Sequence, residues 1–283
     1  MAINGAFAIL WENRASIRMD LRLTDPNAID VRTTLARPDL AAQALEGIVR
    51  AEVFRAVEPM RCVVPVADIH ADADTASERI DQILHGEIFD LLDRRGGRVW
   101  GQSRRDGTVG WMEASALVPH VGLPTRRVAS VKAELPLNAL VDEGAVPETA
   151  PIGEFESDPV AVAERLLGVP HSLGARASVA TDCSGMVQQA LFACGMAGPR
   201  HSDEQARLGV EAARSDARRG DIVVWLNISD QHRWTGHSAL MLDETRVIHA
   251  TGFHGAVVIE DLAEADARYL ADGFAPAVFR RIR

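Results

Sequence analysis

Cys183 stands where a loop becomes a predicted helix, in the segment ATDCSGMVQQALFACG over residues 180–195. A thiol attacks a carbonyl carbon as thiolate, and a free thiol with a pKa near about 8.5 is mostly protonated at neutral pH. A helix N-terminus and a neighbouring imidazolium both lower that pKa. The position therefore predicts a nucleophilic cysteine whose sulfur is held ionised, and it requires a histidine folded against it. Gly185, which has no side chain, predicts a close backbone approach beside it.

Two histidines lie inside strand-like segments farther along the chain. His237 is part of WTGHSALML and His249 is part of RVIHATG, twelve residues later. That separation fits two adjacent antiparallel strands joined by a tight turn. The order Cys, His, His is that of a nucleophile, a general base and a residue that orients the base. The same three side chains leave a metal site open as an alternative, although a fourth ligand is missing.

The segments TDCSGMVQQAL, RRGDIVVW, GHSALML and VIHAT occur in this order. They resemble the motifs of the NlpC-type, papain-like cysteine peptidases of bacterial cell walls, and the resemblance covers about residues 158–283. It implies that Cys183 is the nucleophile, His237 the base and His249 the orienting residue. The segment RVWGQSRRDGTVGW resembles the bacterial SH3 domain that commonly precedes such a peptidase. With this layout, the chain resembles recycling enzymes that cut γ-D-glutamyl–diamino-acid bonds in short murein peptides; the resemblance implies that activity, on peptides with a free N-terminus, and no cofactor.

The resemblance also assigns substrate contacts. Asp182 and Ser184 match positions that bind the free α-amine of the peptide's first residue. A carboxylate beside the nucleophile disfavours the thiolate, so an ammonium partner would explain its presence. Asp182 could instead simply cap the helix.

Other pocket positions depart from the family pattern. The family's P-Y-x-W-G-G reads VPHSLGAR here, with His171 in place of tyrosine, and its D-G-Y-x-G-[YW] reads DGTVGW, with Thr108 in place of a pocket tyrosine. His171, Thr108 and Trp111 are the candidate substrate-binding residues at these positions. The chain's single tyrosine, Tyr269, is expected to lie too far away to replace the lost ones. A weakened murein-peptide-binding protein, or an amidase or acyltransferase using the same thiol, therefore stays open.

A length of 283 residues favours two domains. Short β-like runs with Asp-Gly and Gly-Gly turns predict a small all-β, SH3-like barrel, and helices followed by strands predict a papain-like α+β domain with an antiparallel sheet. Helical spacing of apolar residues predicts a helix over residues 37–49. The predicted organisation is an N-terminal extension and helix over 1–58, the barrel over 59–120, a connector over 121–157 with about two strands (a reduced second SH3-like module is an alternative), and the peptidase domain over 158–283.

The composition limits the partners. Forty acidic against thirty basic residues give a net charge of −10, which disfavours binding to nucleic acid. No apolar run approaches the roughly 20 residues that span a bilayer.

Three cysteines form no disulfide framework, and the N-terminus lacks the features of a signal peptide, so a cytoplasmic location is expected. Residues 1–18 are expected to be an extension, with Met19 as a possible start. Short murein peptides are the expected partners, and the oligomeric state is left undetermined.

Overall fold

The computed structural model describes residues 29–74, 76–228 and 234–282. The predicted extension over residues 1–18 lies outside these ranges, as does part of the loop that precedes the His237 strand. Within the described residues no helix is long and apolar enough to cross a bilayer. The α-helices are α1 (Pro159–Glu164), α2 (Cys183–Ala193), α3 (Ser202–Gln205) and α4 (Leu262–Ala271).

The segment predicted as a helix over residues 37–49 is instead extended. Strand β1 (Leu40–Ala42) pairs in parallel with β2 (Val53–Arg55), and one 3-10 turn follows β1. Leu40 packs with Trp100 and Trp111, whereas Ile48 on the expected helical stripe is 57% exposed. The helix prediction was wrong because burial against a neighbouring sheet, rather than local spacing, decides this segment.

Residues 58–119 form a seven-stranded antiparallel sheet in the order β5-β4-β8-β7-β6-β3-β9. Its edge strands β5 and β9 are not paired with each other in the described residues, so the predicted barrel is an open sheet. Arg176, from the domain that follows, donates through Nε to the carbonyl oxygen of Gln82 on β5 at 2.6 Å, so this edge is covered. The strands are β3 (Glu58–Cys62), β4 (Val66–His70), β5 (Arg79–Leu84), β6 (Ile88–Arg95), β7 (Arg98–Ser103), β8 (Val109–Glu113) and β9 (Leu117–Pro119).

The connector contains three short strands, one more than predicted: β10 (Arg126–Val128), β11 (Leu140–Val141) and β12 (Thr149–Pro151). They form a sheet in the order β11-β10-β12. Buried residues of this sheet pack against Leu84 of the preceding domain and Ala177 of the following one. The connector therefore touches both domains.

The last part of the chain is an α+β unit, as predicted. Its sheet is antiparallel in the order β15-β20-β16-β17-β18-β19, with α1 and α2 packed on one face and α4 on the other. Asp158 caps α1, and Pro159 occupies its first turn. A small hairpin of β13 (Arg176–Ala177) and β14 (Ala180–Thr181) precedes α2. The sheet strands are β15 (Val210–Ala212), β16 (Ile222–Leu226), β17 (Gly236–Met241), β18 (Arg246–Thr251), β19 (Ala256–Asp261) and β20 (Val278–Arg281).

Candidate active site

Cys183 is the first residue of α2, and Asp182 is its N-cap. The Asp182 carboxylate accepts a hydrogen bond from the backbone N–H of Gly185 at 2.8 Å. A Cβ atom on Gly185 would lie 2.4 Å from the carbonyl oxygen of Ala175, which confirms the predicted close backbone approach. Because the helix is pressed against this loop and against β17, its N-terminus has a fixed position.

The two histidines lie on adjacent antiparallel strands, β17 and β18, as the spacing predicts. His237 Nε2 and His249 Nδ1 are 2.9 Å apart, and the two rings meet edge to face at 84°. The backbone N–H groups of Ser238, which follows His237, and of Ser184 favour the ionised form of Cys183 by lowering its pKa, and α2 packs against both β17 and β18. The fold therefore brings the thiol and the imidazole pair together.

A chain of close polar contacts continues beyond the histidines. His249 Nε2 lies 2.9 Å from Glu260 Oε2, and the Arg268 guanidinium binds both oxygens of that carboxylate. Although burial opposes ionisation of Glu260, Arg268 and His249 hold the pKa of this carboxyl well below its ordinary value. Sequence reasoning missed both residues. The available signal was a charged residue in phase with the inward-facing positions of the AVVIED strand.

Tyr269 on α4 also belongs to this site. Its ring stacks on that of His237 with centroids 4.4 Å apart and 24° between the planes. Tyr269 therefore lies nearer to the site than expected, because α4 packs across the face of the sheet that carries the histidines; that it does not replace the lost pocket tyrosines stays a prediction.

Arg200 holds the two residues that were assigned to amine recognition. Its guanidinium donates to both carboxylate oxygens of Asp182, at 3.1 and 2.7 Å, and to Ser184 Oγ at 2.9 Å. Although burial opposes it, Arg200 keeps the pKa of Asp182 below its ordinary value. Asp182 therefore caps the helix and pairs with a cation of the protein itself. Nothing in the sequence pattern pointed to Arg200.

Two segments of the chain match models of known protein families. Residues 168–271 match the NlpC/P60 family, and residues 69–117 match the bacterial dipeptidyl-peptidase SH3 domain. The chain therefore contains one segment similar to a bacterial SH3 domain and a later one similar to the NlpC/P60 family. This confirms the resemblance that the sequence motifs indicated.

Relatives of known structure and name agree with that assignment. The crystal structure of an NlpC/P60 family protein from Bacillus cereus superposes with a TM-score of 0.67 at 17% identity, over 79% of this chain and 99% of its own, and so shares the fold. Two Corynebacterium glutamicum proteins named as probable endopeptidases are each 32% identical, over 40% and 36% of this chain. The chain spans about half the length of these relatives, 50% and 49%.

Burial opposes charge on both Cys183 and His237. Burial, and then the charge of Asp182, raise the pKa of the Cys183 thiol to about 11. Burial lowers the pKa of His237 well below its ordinary value. Burial and the charge of Asp182 therefore oppose the ionised sulfur that the helix N-terminus favours, and the prediction that the sulfur is held ionised stays a prediction.

We expect the alkylation rate of Cys183 by iodoacetamide to rise between about pH 6 and 9, by up to about tenfold per unit, because the thiolate fraction grows tenfold per pH unit below the thiol's pKa. The Cys183→Ala variant gives the background from the two buried cysteines. Peptide mass spectrometry locates the label. A rate that levels off below about pH 7 would show a resident thiolate–imidazolium pair and contradict this expectation.

The remaining pocket candidates are placed differently from one another. Half-buried His171 lies close enough to His237 to lower the pKa of that ring, after the larger effect of burial. Thr108, in the SH3 domain, is 1% exposed, and its hydroxyl has no hydrogen-bond partner in the described residues. Trp111 packs against Leu35 and Leu40 of the N-terminal segment. Trp111 therefore does not reach the site, since its strand turns this side chain towards the N-terminal segment.

A buried ion network ties the SH3 domain to the NlpC/P60 domain. Arg176, fully buried, binds Glu87 at 2.5 Å and lies 3.2 Å from Asp81, and Asp81 also accepts from Arg200 at 2.7 Å. Burial and the neighbouring Asp106 raise the pKa of Asp81 to about 8. The network links an SH3 edge strand to the arginine that holds the α2 N-cap.

No group of three or more histidine, cysteine or acidic side chains is arranged to hold a metal ion in the described parts of the chain. The metal alternative therefore finds no ligand set there.

Proposed function

We propose that this protein is a cysteine endopeptidase that hydrolyses γ-D-glutamyl–diamino-acid bonds in short murein peptides through a thioester on Cys183. The observation that carries the proposal is the His237–His249 pair, 2.9 Å apart, on the two strands against which the helix that begins at Cys183 packs. The probable-endopeptidase names of the curated relatives support the reaction class.

The geometry indicates how the reaction proceeds. His237 uses Nε2 to contact His249, so Nδ1 is the nitrogen left for the thiol. Nδ1 takes the thiol proton as the sulfur bonds to the scissile carbonyl carbon, and then passes that proton to the leaving amine. A water molecule, deprotonated by the same nitrogen, cleaves the thioester and releases the acid. The backbone N–H of Cys183 donates to the oxyanion in both halves of the reaction.

Incubation with L-Ala-γ-D-Glu-diaminopimelate tests this function. We expect mass spectrometry to detect L-Ala-γ-D-Glu and free diaminopimelate with the wild-type protein and no product with Cys183→Ala. Cys62→Ala is the matched control, since Cys62 is buried in the SH3 domain, and it should retain turnover. An inactive wild-type protein that still binds the peptide would contradict the proposal and favour the murein-peptide-binding alternative.

Recognition of a free N-terminus is a separate part of the proposal, assigned to Asp182 and Ser184. Both side chains already contact Arg200, so a substrate ammonium would share them with that guanidinium. The same peptide acetylated at its N-terminus tests the assignment. A clear fall in kcat/KM on acetylation supports amine recognition, and equal rates would leave Asp182 with a purely internal role.

A further inference from the structure

Glu260 lies at the far end of the histidine pair, where a carboxylate controls which ring nitrogens carry protons. We propose that Glu260 is a positioning residue that sets the tautomers of His249 and His237, so that His237 presents an unprotonated Nδ1 to the Cys183 thiol. The inference rests on the proposed function for the roles of Cys183 and His237. It adds Glu260, with the Arg268 guanidinium that binds it, to the three residues that the sequence indicates.

The first step concerns Glu260 itself. An ionised carboxylate accepts hydrogen bonds and donates none. Arg268 on α4 binds both oxygens of Glu260 and keeps it ionised, and Glu260 is only 9% exposed. Oε2 of Glu260 lies 2.9 Å from His249 Nε2, although the N–H···O angle is not that of an ordinary hydrogen bond. A lone pair on Nε2 would face the negative carboxylate at this distance, so we infer that this nitrogen carries the hydrogen.

The position of the hydrogen on His249 then fixes the tautomer of His237, the proposed base. Burial lowers the pKa of both imidazoles, so each ring is neutral and carries one N–H. With its hydrogen on Nε2, His249 offers a lone pair at Nδ1, which lies 2.9 Å from His237 Nε2. His237 Nε2 must therefore donate, and the bare nitrogen of His237 is Nδ1. The negative charge of Glu260 thus determines which ring nitrogens of His249 and His237 carry a hydrogen.

The side chains around Glu260 belong to the same cluster as the histidine pair. His249 on β18 and Arg268 on α4 contact the carboxylate directly, and the half-exposed ring of His254 in the β18–β19 turn lies 3.8 Å from Oε1. The residue after Arg268 is Tyr269, which stacks on His237. One turn of α4 therefore holds both ends of the histidine pair.

The test is the tautomeric state of His237 and His249, read from the ¹⁵N chemical shifts and couplings of labelled full-length protein. In the wild-type protein we expect both rings to carry the hydrogen on Nε2. In Glu260→Gln the amide oxygen is expected to pair with Arg268 and the amide NH₂ to face His249. That reverses the chain and places the His237 hydrogen on Nδ1. A wild-type His237 protonated on Nδ1, or unchanged tautomers in Glu260→Gln, would overturn the proposal.

Kinetics give a second readout with a matched control. For Glu260→Gln we expect kcat to fall about 10- to 100-fold with KM unchanged, less than the about 10⁴-fold cost of a wrong tautomer when the altered carboxylate contacts the base directly. Glu264→Gln removes the same charge from an exposed position of α4 and should change neither kcat nor the tautomers. Equal kinetics in the two variants would contradict the proposal. The wild-type tautomers are measured without substrate and without a variant, so they decide this inference even if the proposed hydrolysis is not found or Glu260→Gln does not fold.

Discussion

Replacing His237 by alanine is expected to lower kcat/KM for peptide hydrolysis by about 10²- to 10⁴-fold, the usual contribution of a general base. The reason is specific to this site. With a thiol pKa raised to about 11, little thiolate exists at neutral pH, and the attack depends on proton transfer to His237. Removing the ring takes away the base that the proposed mechanism assigns to the thiol.

Steady-state kinetics on the murein tripeptide measure this effect, and added imidazole should restore part of the rate. His70→Ala is the control, since the His70 ring lies in the SH3 domain and contacts the carbonyl oxygen of Ser77 at 2.9 Å. An His237→Ala variant with more than about a tenth of wild-type activity would show that another group removes the thiol proton. His171, which lies near His237, would be the next residue to test.

Replacing Arg176 by methionine is expected to have the largest effect on stability, a loss of about 3–5 kcal/mol in the free energy of unfolding. Arg176 is fully buried and pairs with Glu87 at 2.5 Å, with Asp81 at 3.2 Å. Methionine has a similar length and no charge, so the buried Glu87 carboxylate would lose its closest cation and Asp81 would keep only its bond from Arg200. The bond to Gln82 that covers the SH3 edge strand would also be lost.

Urea denaturation followed by tryptophan fluorescence measures this loss. The matched control is Arg219→Met, which breaks two ion pairs that are about 40% exposed, with Asp158 and Glu164. Exposed pairs contribute about 0–1 kcal/mol, so this variant should unfold near the wild-type midpoint. Similar losses in both variants would mean that the buried network does not hold the two domains together.

Much of the site follows from short-range patterns in the chain. The Asp182 cap, the helix behind Cys183 and the gap at Gly185 depend on a few neighbouring residues, whose side chains and backbone groups meet whatever the rest of the fold does. The pairing of the two histidine strands is similarly local, because a tight turn joins them. These features could be predicted, and the structure shows each of them.

Two sequence predictions that differ from the structure have a common cause. The helix expected over residues 37–49 and the pocket position expected for Trp111 were both decided by one contact, in which the N-terminal segment packs on the outer face of the SH3 sheet. Local periodicity carries no information about a surface formed by residues 60 positions away. The free energy gained by burying side chains against that surface exceeds the helix propensity, which is a few tenths of a kcal/mol per residue.

By itself, the sequence determined the thiol, the imidazole pair and the α+β unit that presents them, because hydrophobic periodicity and capping act over one or two turns of chain. Only the tertiary structure decided how those groups are charged and oriented. Arg200 reaches Asp182, and Arg268 reaches Glu260, through packing between elements, and the burial that raises the thiol pKa exists only once those elements close around it. Electrostatic effects depend on distance and burial in space, and a linear pattern specifies neither.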